Sequence, residues 1–364
     1  MEHLSCQNLI IGSGPAGLLC AITSNGDNIL LEKPSKNFQL AKRILVSGNG
    51  RANFFHQDLT STPSPIHEVL RPYEKEFLQY LKEECQFPYV IEHSLYYPYF
   101  NRAESLHNTL IHQLGFNTRI IQGLALRNHE DELIYLDENG IESVIQYQHL
   151  VVATGGRSYD REHFTYELLD SLNVEYEPFS PALCPIKVKE KIPTSFVNQR
   201  LKGKVSVYSS NDIIYEEYGE VLFKKDGLSG ICIMNATIAI HEALKKKQDD
   251  IQIEINYREV KDLSTGEITK LEQVSPFAYP QFLKEKVTAD GILRFHFMDF
   301  YPFKESQVSF GGVLLSELDL EDFSFKKKKN IHFIGEILDD NYICGGYNMG
   351  HALLEGYVLG KKLS

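Results

Sequence analysis

The sequence has no tryptophan and four methionines, and its six cysteines lie far apart along the chain. No two of them form a C-x-x-C pair. This spacing argues against a zinc site and against a disulfide framework, so we expect reduced thiols and no bound metal. The cysteines are Cys6, Cys20, Cys85, Cys184, Cys232 and Cys344.

A long apolar segment is also missing. The apolar run nearest the N-terminus, Asn8 to Ile22, is interrupted by three glycines and a proline and has no basic leader. Such a run is typical of neither a signal peptide nor a membrane span. The sequence therefore predicts a cytoplasmic protein with no membrane partner.

Positive charge is scarce as well. The formal net charge is -12, and no basic stripe runs through the chain. Binding to a phosphate backbone needs such a stripe, so we expect a small-molecule substrate and no nucleic acid. The length of 364 residues, with 43% hydrophobic and 24% charged residues, predicts two globular domains. The sequence leaves the oligomeric state open.

The first strong pattern is a glycine-rich turn between a strand and a helix. Leu9–Ile11 is a short apolar run, the turn follows as Gly-Ser-Gly-Pro-Ala-Gly, and apolar residues then recur at helical spacing. Gly12 permits the turn, Gly14 lets the backbone approach a pyrophosphate, and Gly17 lets the helix pack close to the strand. This pattern predicts a nucleotide-binding turn.

A second strand, Asn28–Leu31, ends at Glu32. A carboxylate about twenty positions beyond the first glycine can accept both ribose hydroxyls of an adenosine, and it disfavours a 2′-phosphate. Strand, turn, helix, second strand and acid together predict dinucleotide binding and argue against NADP at this site.

The stretch Leu40–Asn53 favours FAD over NAD. It contains a Gly-Asn-Gly loop and three cations, Lys42, Arg43 and Arg51. A dehydrogenase built on NAD would more often continue into alternating strands and helices, whereas this loop can lie along the pyrophosphate and ribityl chain of a flavin. The alternative is a solvated surface loop, because Gly-Asn-Gly alone indicates only a turn. Arg51 could equally contact the cofactor, bind an anionic substrate or form a surface ion pair.

A β-meander comes next. Helices are predicted near Ile66–Cys85 and Arg102–Leu114, and Asn139-Gly140 is a hairpin turn. The meander leads into an apolar strand from His149 that stops at Ala153-Thr154-Gly155-Gly156. In FAD proteins of the glutathione-reductase type such a strand returns to the central sheet beside the cofactor. The predicted meander strands are Asn117–Arg127, Leu133–Leu136 and Ser143–Tyr147.

A glycine cluster near the C-terminus resembles the first turn. The apolar strand Asn330–Glu336 ends in Gly plus an acid, and Gly345-Gly346 precedes a helix predicted from Asn348 to Gly360. That helix N-terminus could face the N1–C2=O edge of an isoalloxazine, where negative charge collects when the flavin is reduced. The alternative is a helix entry with no ligand. Cys344 would lie near the ring, as a buried structural thiol rather than a redox thiol.

These segments resemble the YhiN-like bacterial flavoproteins, a family also labelled NAD(P)/FAD-dependent oxidoreductase or aminoacetone oxidase. The resemblance covers nearly the whole chain. It implies an α/β fold in which both chain ends form a glutathione-reductase-type FAD domain, and in which a β-rich domain with a helical excursion is inserted. Ala52 stands where the family commonly has Cys, and the excursion, about 257–301, is short. The matching segments are Gly12–Gly17, Lys42 with Ser47–Asn53, Ala153–Tyr159, Ser180–Leu183, Gly219–Phe223, Gly227–Gly230, Ser309–Val313, Gly335-Glu336 and Gly345–Asn348.

From this order we place the FAD-binding domain at 1–182 and 332–364 and the inserted substrate or cap domain at 183–331. The strand ending at Gly335 must return to the sheet that begins at Leu9.

The leading functional hypothesis is an FAD-dependent oxidoreductase. Flavin N5 accepts or gives the hydride, between a small organic substrate and NAD(P)H or another acceptor, so no catalytic triad or metal is needed. With one nucleotide fingerprint, NAD(P)H would visit transiently. The stretch 42–53 lacks the cysteine pair of the disulfide reductases. No catalytic residue is predicted, and His241 and His351 are expected to pack in the structure or lie at its surface.

Two alternatives stay open: a sensor or assembly protein with structural FAD, and flavin-dependent RNA modification, which the acidic balance disfavours. The expected cofactor-binding residues are Gly12, Gly14, Pro15, Ala16, Gly17, Glu32, Lys33, Lys42, Ser47, Gly48, Asn49, Gly50, Arg51, Asn53, Ala153, Thr154, Gly155, Gly156, Gly335, Glu336, Asp339, Gly345, Gly346, Tyr347 and Asn348.

Overall fold

The structure is a computed structural model that describes residues 3–59, 64–158, 166–262, 265–271, 275, 278–286 and 288–363. Within these residues no helix combines the length and apolarity that crossing a membrane requires. The helices are α1 (Pro15–Thr23), α2 (Lys42–Val46), α3 (Pro65–Leu70), α4 (Glu74–Glu83), α5 (Ala103–Gln113), α6 (Glu167–Leu172), α7 (Ile231–Lys245) and α8 (Tyr347–Lys362).

The strands lie between His3 and Phe333. They are β1 (His3–Ile11), β2 (Asn28–Glu32), β3 (Phe55–His56), β4 (Tyr89–Glu92), β5 (Leu95–Pro98), β6 (Thr118–His129), β7 (Glu132–Asp137), β8 (Glu142–Val152), β9 (Tyr176–Ala182), β10 (Ile186–Val188), β11 (Arg200–Ser209), β12 (Asp212–Phe223), β13 (Gly227–Ser229), β14 (Ile251–Asn256), β15 (Glu259–Lys261), β16 (Ile268–Lys270), β17 (Ile292–Phe300), β18 (Val308–Val313), β19 (Leu318–Asp319), β20 (Ser324–Phe325) and β21 (Lys328–Phe333).

Two compact units make up the chain. The first contains Met1–Gly156, Glu162–Phe179 and Gly311–Ser364, and the second contains Arg157–Arg161 and Ser180–Phe310. From the sequence we placed the start of the C-terminal part of the FAD-binding domain at residue 332. In the structure, residues 311–331 also belong to the first unit, where β19 and β20 pair with β21 in its sheet.

The first unit is built on an eight-stranded sheet in the order β1-β2-β6-β7-β8-β21-β20-β19, in which β1 also pairs with β8. β1 runs parallel to both β2 and β8, and β21 runs parallel to β8. Leu9–Ile11 of β1 and Ile29–Leu31 of β2 are apolar and buried, as expected for parallel strands covered on both faces. The sheet, together with the antiparallel meander β6-β7-β8, confirms the expected Rossmann-type fold.

β8 is longer than expected. The sequence predicts two strands, Ser143–Tyr147 and a second from His149, whereas the structure has one continuous strand, Glu142–Val152. Its first half, Glu142–Gln146, pairs with β7, and Val144–Val152 pairs with β1. The pairing with β1 on either side of the polar Gln148 makes the strand continuous.

Helix α8 packs tightly along α1. A Cβ added at Gly356 would lie 2.2 Å from the backbone oxygen of Ala16, and one added at Gly360 would lie 2.0 Å from Thr23 Oγ1. Glycine at these positions therefore allows the two helices to touch through their backbones. The contact joins the N-terminal and C-terminal segments of the chain in one unit.

The second unit contains a closed barrel in the order β10-β13-β12-β11-β14-β17, with α7 packed against β12. Its core is a single apolar cluster that includes Phe196, Phe223 and Ile253. The excursion expected at 257–301 is less helical than its name suggests. Among the described residues of this excursion, the helical part is one 3-10 turn, Leu283–Lys286. The C-terminal part of the excursion is the barrel strand β17, because Ile292–Phe300 alternates buried and more exposed side chains.

Candidate functional site

The carboxyl ends of four neighbouring strands meet at one edge of the sheet in the first unit. The amide of Gly12 donates to Leu31 O at 2.9 Å, that of Ala153 donates to Ile11 O at 2.9 Å, and that of Ile334 donates to Val152 O at 3.2 Å. Ligands of open parallel sheets bind outside this edge. The edge brings together the chain segments at Gly12, Glu32, Ala153 and Gly335.

The glycine-rich turn fills this edge. Gly12 has φ 97°, and a Cβ there would lie 2.4 Å from Ala153 O, while a Cβ at Gly17 would lie 2.0 Å from Gly12 O. At Gly14, in contrast, a Cβ would meet nothing within 4 Å. Among the described residues no side chain caps the N-terminus of α1, and its first turn has no acidic residue. The first turn of α1 is therefore left without a side-chain cap, and the space beside Gly14 is open, as binding of an anion requires.

Glu32 lies at the end of β2 beside this turn. Its Oε2 accepts from the Ser13 N–H at 2.6 Å and its Oε1 from the Lys33 N–H at 3.1 Å. The hydroxyl of Ser13 in turn accepts from the Ala41 N–H at 3.0 Å. These bonds fix the carboxylate next to the glycine turn, where the sequence predicts a ribose-binding acid.

The stretch Leu40–Asn53 is more ordered than the predicted loop. It contains the short helix α2 and a 3-10 turn at Ser47–Gly50, because Leu40 and Ile44 are buried and fix the backbone between them. Lys42, Gly48 and Asn49 are exposed. Ala52 is fully buried.

Arg51 shows the surface ion pair that was one of its possible roles. Its Nη2 lies 2.8 Å from Glu92 Oε2, its Nε donates to Asn101 Oδ1, and its guanidinium lies 4.2 Å from the centre of the Tyr97 ring. A contact between Arg51 and a cofactor stays a prediction.

The segment after β21 joins the edge from the other side. A Cβ at Gly335 would lie 3.0 Å from Ala16 Cβ, which places Gly335 against the first turn of α1. Glu336 forms an ion pair of 2.8 Å with Arg43, and the Asp339 N–H donates to Val313 O at 2.9 Å. The Arg43–Glu336 pair joins residues 293 positions apart, so no sequence pattern indicated it.

Gly346, the residue before helix α8, has φ 84°, and a Cβ there would lie 2.7 Å from Phe55 O. Tyr347 stacks on His56 with ring centres 4.5 Å apart. The Asn348 side chain donates to Tyr342 O at 3.0 Å and to Ile343 O at 3.3 Å. The start of α8 is thus held against β3 and against the preceding loop.

A buried polar cluster behind the start of α8 was not predicted. The Tyr342 hydroxyl bonds to Asp340 Oδ2 and lies 3.2 Å from Ser64 Oγ, and the Tyr342 ring lies 4.0 Å from that of His351. Burial raises the pKa of Asp340 and lowers that of His351 to about 3, so His351 is neutral. Neither ring nitrogen of His351 has a hydrogen-bond partner among the described residues. An acid and a histidine near a glycine pair carry no recognisable spacing signal.

Glu355 is the most deeply buried acid of this region. It is 3% exposed, and its Oε2 accepts from the Gly335 N–H at 2.5 Å. Burial raises the pKa of its carboxyl to about 8. The sequence gives no hint of this, since a glutamate on a helix is usually solvated.

His241, in the second unit, has the packing role that we expected. Its ring is stacked between Phe300 at 4.0 Å and Phe310 at 4.3 Å, and its Nε2 donates to Pro181 O at 2.9 Å. Burial lowers its pKa to about 4.

The six cysteines, all within the described residues, form no disulfide, and Cys344 is the most exposed of them. Burial raises the pKa of the Cys6, Cys20, Cys184 and Cys232 thiols to about 12. In the part of the chain that the structure describes, no three His, Cys, Asp or Glu side chains are arranged to hold a metal ion.

One cavity of the first unit lies away from this edge. Its volume is about 530 Å³, and it is lined by residues of α1, α4 and α8 that include Thr23, Glu83 and Lys361. These residues lie at the C-terminal ends of α1 and α8, whereas the candidate site lies at the N-terminal ends.

The fold and the glycine-lined edge define the class of this protein: an α/β protein with a Rossmann-type domain. Residues 6–362 match the family described as "HI0933-like protein Rossmann domain", and the chain belongs to that family. This membership confirms the resemblance drawn from the sequence.

Characterised relatives are distant but span the whole chain. A 3-dehydro-bile acid delta(4,6)-reductase of Clostridium scindens is 23% identical over an aligned length of 406 residues, which covers 97% of both proteins. A ribosomal RNA dihydrouridine synthase of Haemophilus influenzae is 22% identical over an aligned length of 408 residues, which covers 98% of both proteins.

Among solved structures, 3-ketosteroid delta1-dehydrogenase from Sterolibacterium denitrificans in complex with 1,4-androstadiene-3,17-dione matches with a TM-score of 0.51 and 9% identity, over 99% of both chains. At this identity the likeness shows the fold alone.

Proposed function

We propose that this edge of the sheet binds FAD, with the pyrophosphate on the N-terminus of α1, the adenosine ribose on Glu32 and the flavin ring near the start of α8. The observation that carries the proposal is the open space in front of Gly14. The turn leaves room there while Gly12 and Gly17 are packed against backbone. A phosphate can therefore reach the uncapped N–H groups of α1 without any rearrangement of the chain.

The residues around the site fit each part of this cofactor. The Glu32 carboxylate, fixed by the Ser13 amide, can accept ribose hydroxyls. The first-turn amides of α8 can hold negative charge at the ring, and Tyr347 and His56 form an aromatic wall beside them. The assignment of individual contacts, including those of Lys42, Gly155 and Asp339, is part of the proposal.

Bound FAD supplies hydride transfer through N5, so the protein has to bind and orient the substrate and exclude competing reactions. The names of both relatives, a delta(4,6)-reductase and a dihydrouridine synthase, describe saturation of carbon–carbon double bonds. We infer that this chain acts on a small organic molecule with an activated double bond. NAD(P)H, if it is the donor, binds transiently, since the sequence has one nucleotide fingerprint.

A small molecule is favoured over RNA on electrostatic grounds. The net charge of -12 opposes binding to a phosphate backbone. The dihydrouridine synthases among the relatives make RNA the second candidate, and salt-sensitive binding of ribosomal RNA would establish it.

The test is the absorbance spectrum of the purified protein, followed by anaerobic mixing with NADH, NADPH and a panel of conjugated enones. We expect flavin bands, bleaching by a nicotinamide donor and reoxidation by an enone. A protein without flavin bands that takes up no added FAD would overturn the proposal. Flavin bands without bleaching by any donor would instead identify the FAD as structural.

A further inference from the structure

Glu355 is a carboxyl group inside a helix contact, where a charge is costly. It lies on α8, is 3% exposed, and accepts the Gly335 N–H at 2.5 Å. The next residue, Gly356, would place a Cβ 2.2 Å from Ala16 O, so α1 is directly against this turn of α8.

The Glu355 carboxyl lies near the N-terminus of α1, to which the proposed function assigns the pyrophosphate. Gly335, its hydrogen-bond donor, packs against Ala16, the second residue of α1. The Glu355 carboxyl therefore lies behind the first turn of α1. The same helix end carries the uncapped N–H groups that the proposed function gives to the pyrophosphate.

Among the described residues, the groups around Glu355 offer it no free cation. Asp340 raises its pKa further, on top of burial, and Tyr342 and the neutral His351 are the nearby titratable side chains of the preceding loop and of α8. Helix α1 has no charged residue. Further titratable groups that face α8 include Cys20 of α1, His67 of α3 and Tyr80 of α4. His56 of β3 stacks on Tyr347, and Glu76 of α4 is paired with Lys361.

We propose that FAD binds the form of the protein in which Glu355 is a neutral carboxylic acid, so that Glu355 determines cofactor affinity through a proton. The inference rests on the proposed function. A helix N-terminus stabilises one nearby anion, and an ionised Glu355 would compete with the pyrophosphate for α1 and repel it. Where Glu355 is ionised in the apoprotein, FAD binding takes up one proton from the solvent.

The experiment is calorimetric titration of FAD into apoprotein at pH 6.5 and pH 9, in pairs of buffers with different ionisation enthalpies. We expect close to zero protons taken up at the lower pH and about one at the higher, with an affinity about tenfold weaker at pH 9. An equal affinity at both pH values, with no proton uptake, would overturn the inference.

The variant Glu355→Gln has the same shape and cannot ionise. Its affinity for FAD should be independent of pH and equal to the wild-type affinity at pH 6.5. As a matched control, Glu83→Gln changes an exposed glutamate of α4 and should keep the wild-type pH dependence. Should Glu355→Gln fail to fold, the proton count of the wild type decides alone. A protein that binds no FAD at any pH overturns the proposed function together with this inference, whereas pH-independent FAD binding overturns the inference alone.

Discussion

The two helices that begin at glycines in the first unit use glycine for different reasons. Before α1, Gly14 has φ -59° and open space around its Cβ position, so the fold itself does not require glycine there. Before α8, Gly346 has φ 84° and its Cβ would lie 2.7 Å from Phe55 O. Glycine before α1 leaves room for a ligand, whereas glycine before α8 allows the chain to fold.

The largest effect is expected inside the first turn. Gly12→Ala would place a side chain at φ 97° and 2.4 Å from Ala153 O, so the free energy of unfolding should fall by about 3–5 kcal/mol. Urea denaturation measures the change. Gly140→Ala is the control, because Gly140 has φ 76° and nothing within 4 Å. It should lose only about 1–2 kcal/mol. Equal losses would show that Gly12 is not in close contact with Ala153 at the end of β8.

Gly14→Ala tests the open side of the same turn. The added methyl group meets no protein atom within 4 Å, so stability should change by less than about 1 kcal/mol. It would occupy the space in front of the α1 amides, and we expect FAD affinity to fall about 100-fold, or about 2.7 kcal/mol. Fluorescence titration of apoprotein with FAD measures this. An unchanged affinity would remove the pyrophosphate from this helix end.

The starts of the two helices also differ in how well the sequence predicts them. The strand, turn and helix around Gly12–Gly17 follow from local periodicity, and so do the meander strands. Helix α2 was missed because its neighbours Gly48 and Gly50 indicate a loop, and it forms because Leu40 and Ile44 find a core. Helix α8 was predicted, but not the residues beside it.

The polar residues behind α8 could not be predicted because their burial depends on distant segments. Glu355 accepts from Gly335 twenty residues away, and Tyr342 bonds to Ser64 across 278 residues. Nothing in the local spacing of these residues separates a buried acid from a solvated one. Local patterns therefore predict the backbone turns of the candidate site, and tertiary packing decides which side chains are neutral.

Gly346→Ala should destabilise the folded protein, because the added methyl group meets protein backbone and not open space. Its positive φ and its contact with Phe55 predict a loss of about 2 kcal/mol in the free energy of unfolding. Denaturation of the apoprotein measures the loss without any contribution from FAD. Should Gly346→Ala be as stable as the wild type, the contrast between the two helix starts would not hold.

The smallest effect concerns acid, and it separates two residues of α8 that lie one turn apart. His351 has a pKa lowered to about 3, so it favours folding above its unfolded pKa near 6.5, and this stability is lost as the pH falls below 6.5. Glu355 has the opposite sign. Its pKa is raised to about 8, so its contribution is full below its unfolded pKa near 4.3 and is lost as the pH rises toward 8.

Between pH 7 and pH 5.5 the two contributions oppose each other, and single variants separate them. His351→Phe keeps a ring beside Tyr342 and removes the titration. Over this interval the wild type should lose about 1 kcal/mol of unfolding free energy relative to His351→Phe, because only the wild type must bury a histidine that is charged when unfolded. Urea denaturation of apoprotein at the two pH values measures the difference. A pH dependence identical in both proteins would mean that His351 takes up a proton in the folded state, and that the start of α8 is open to water.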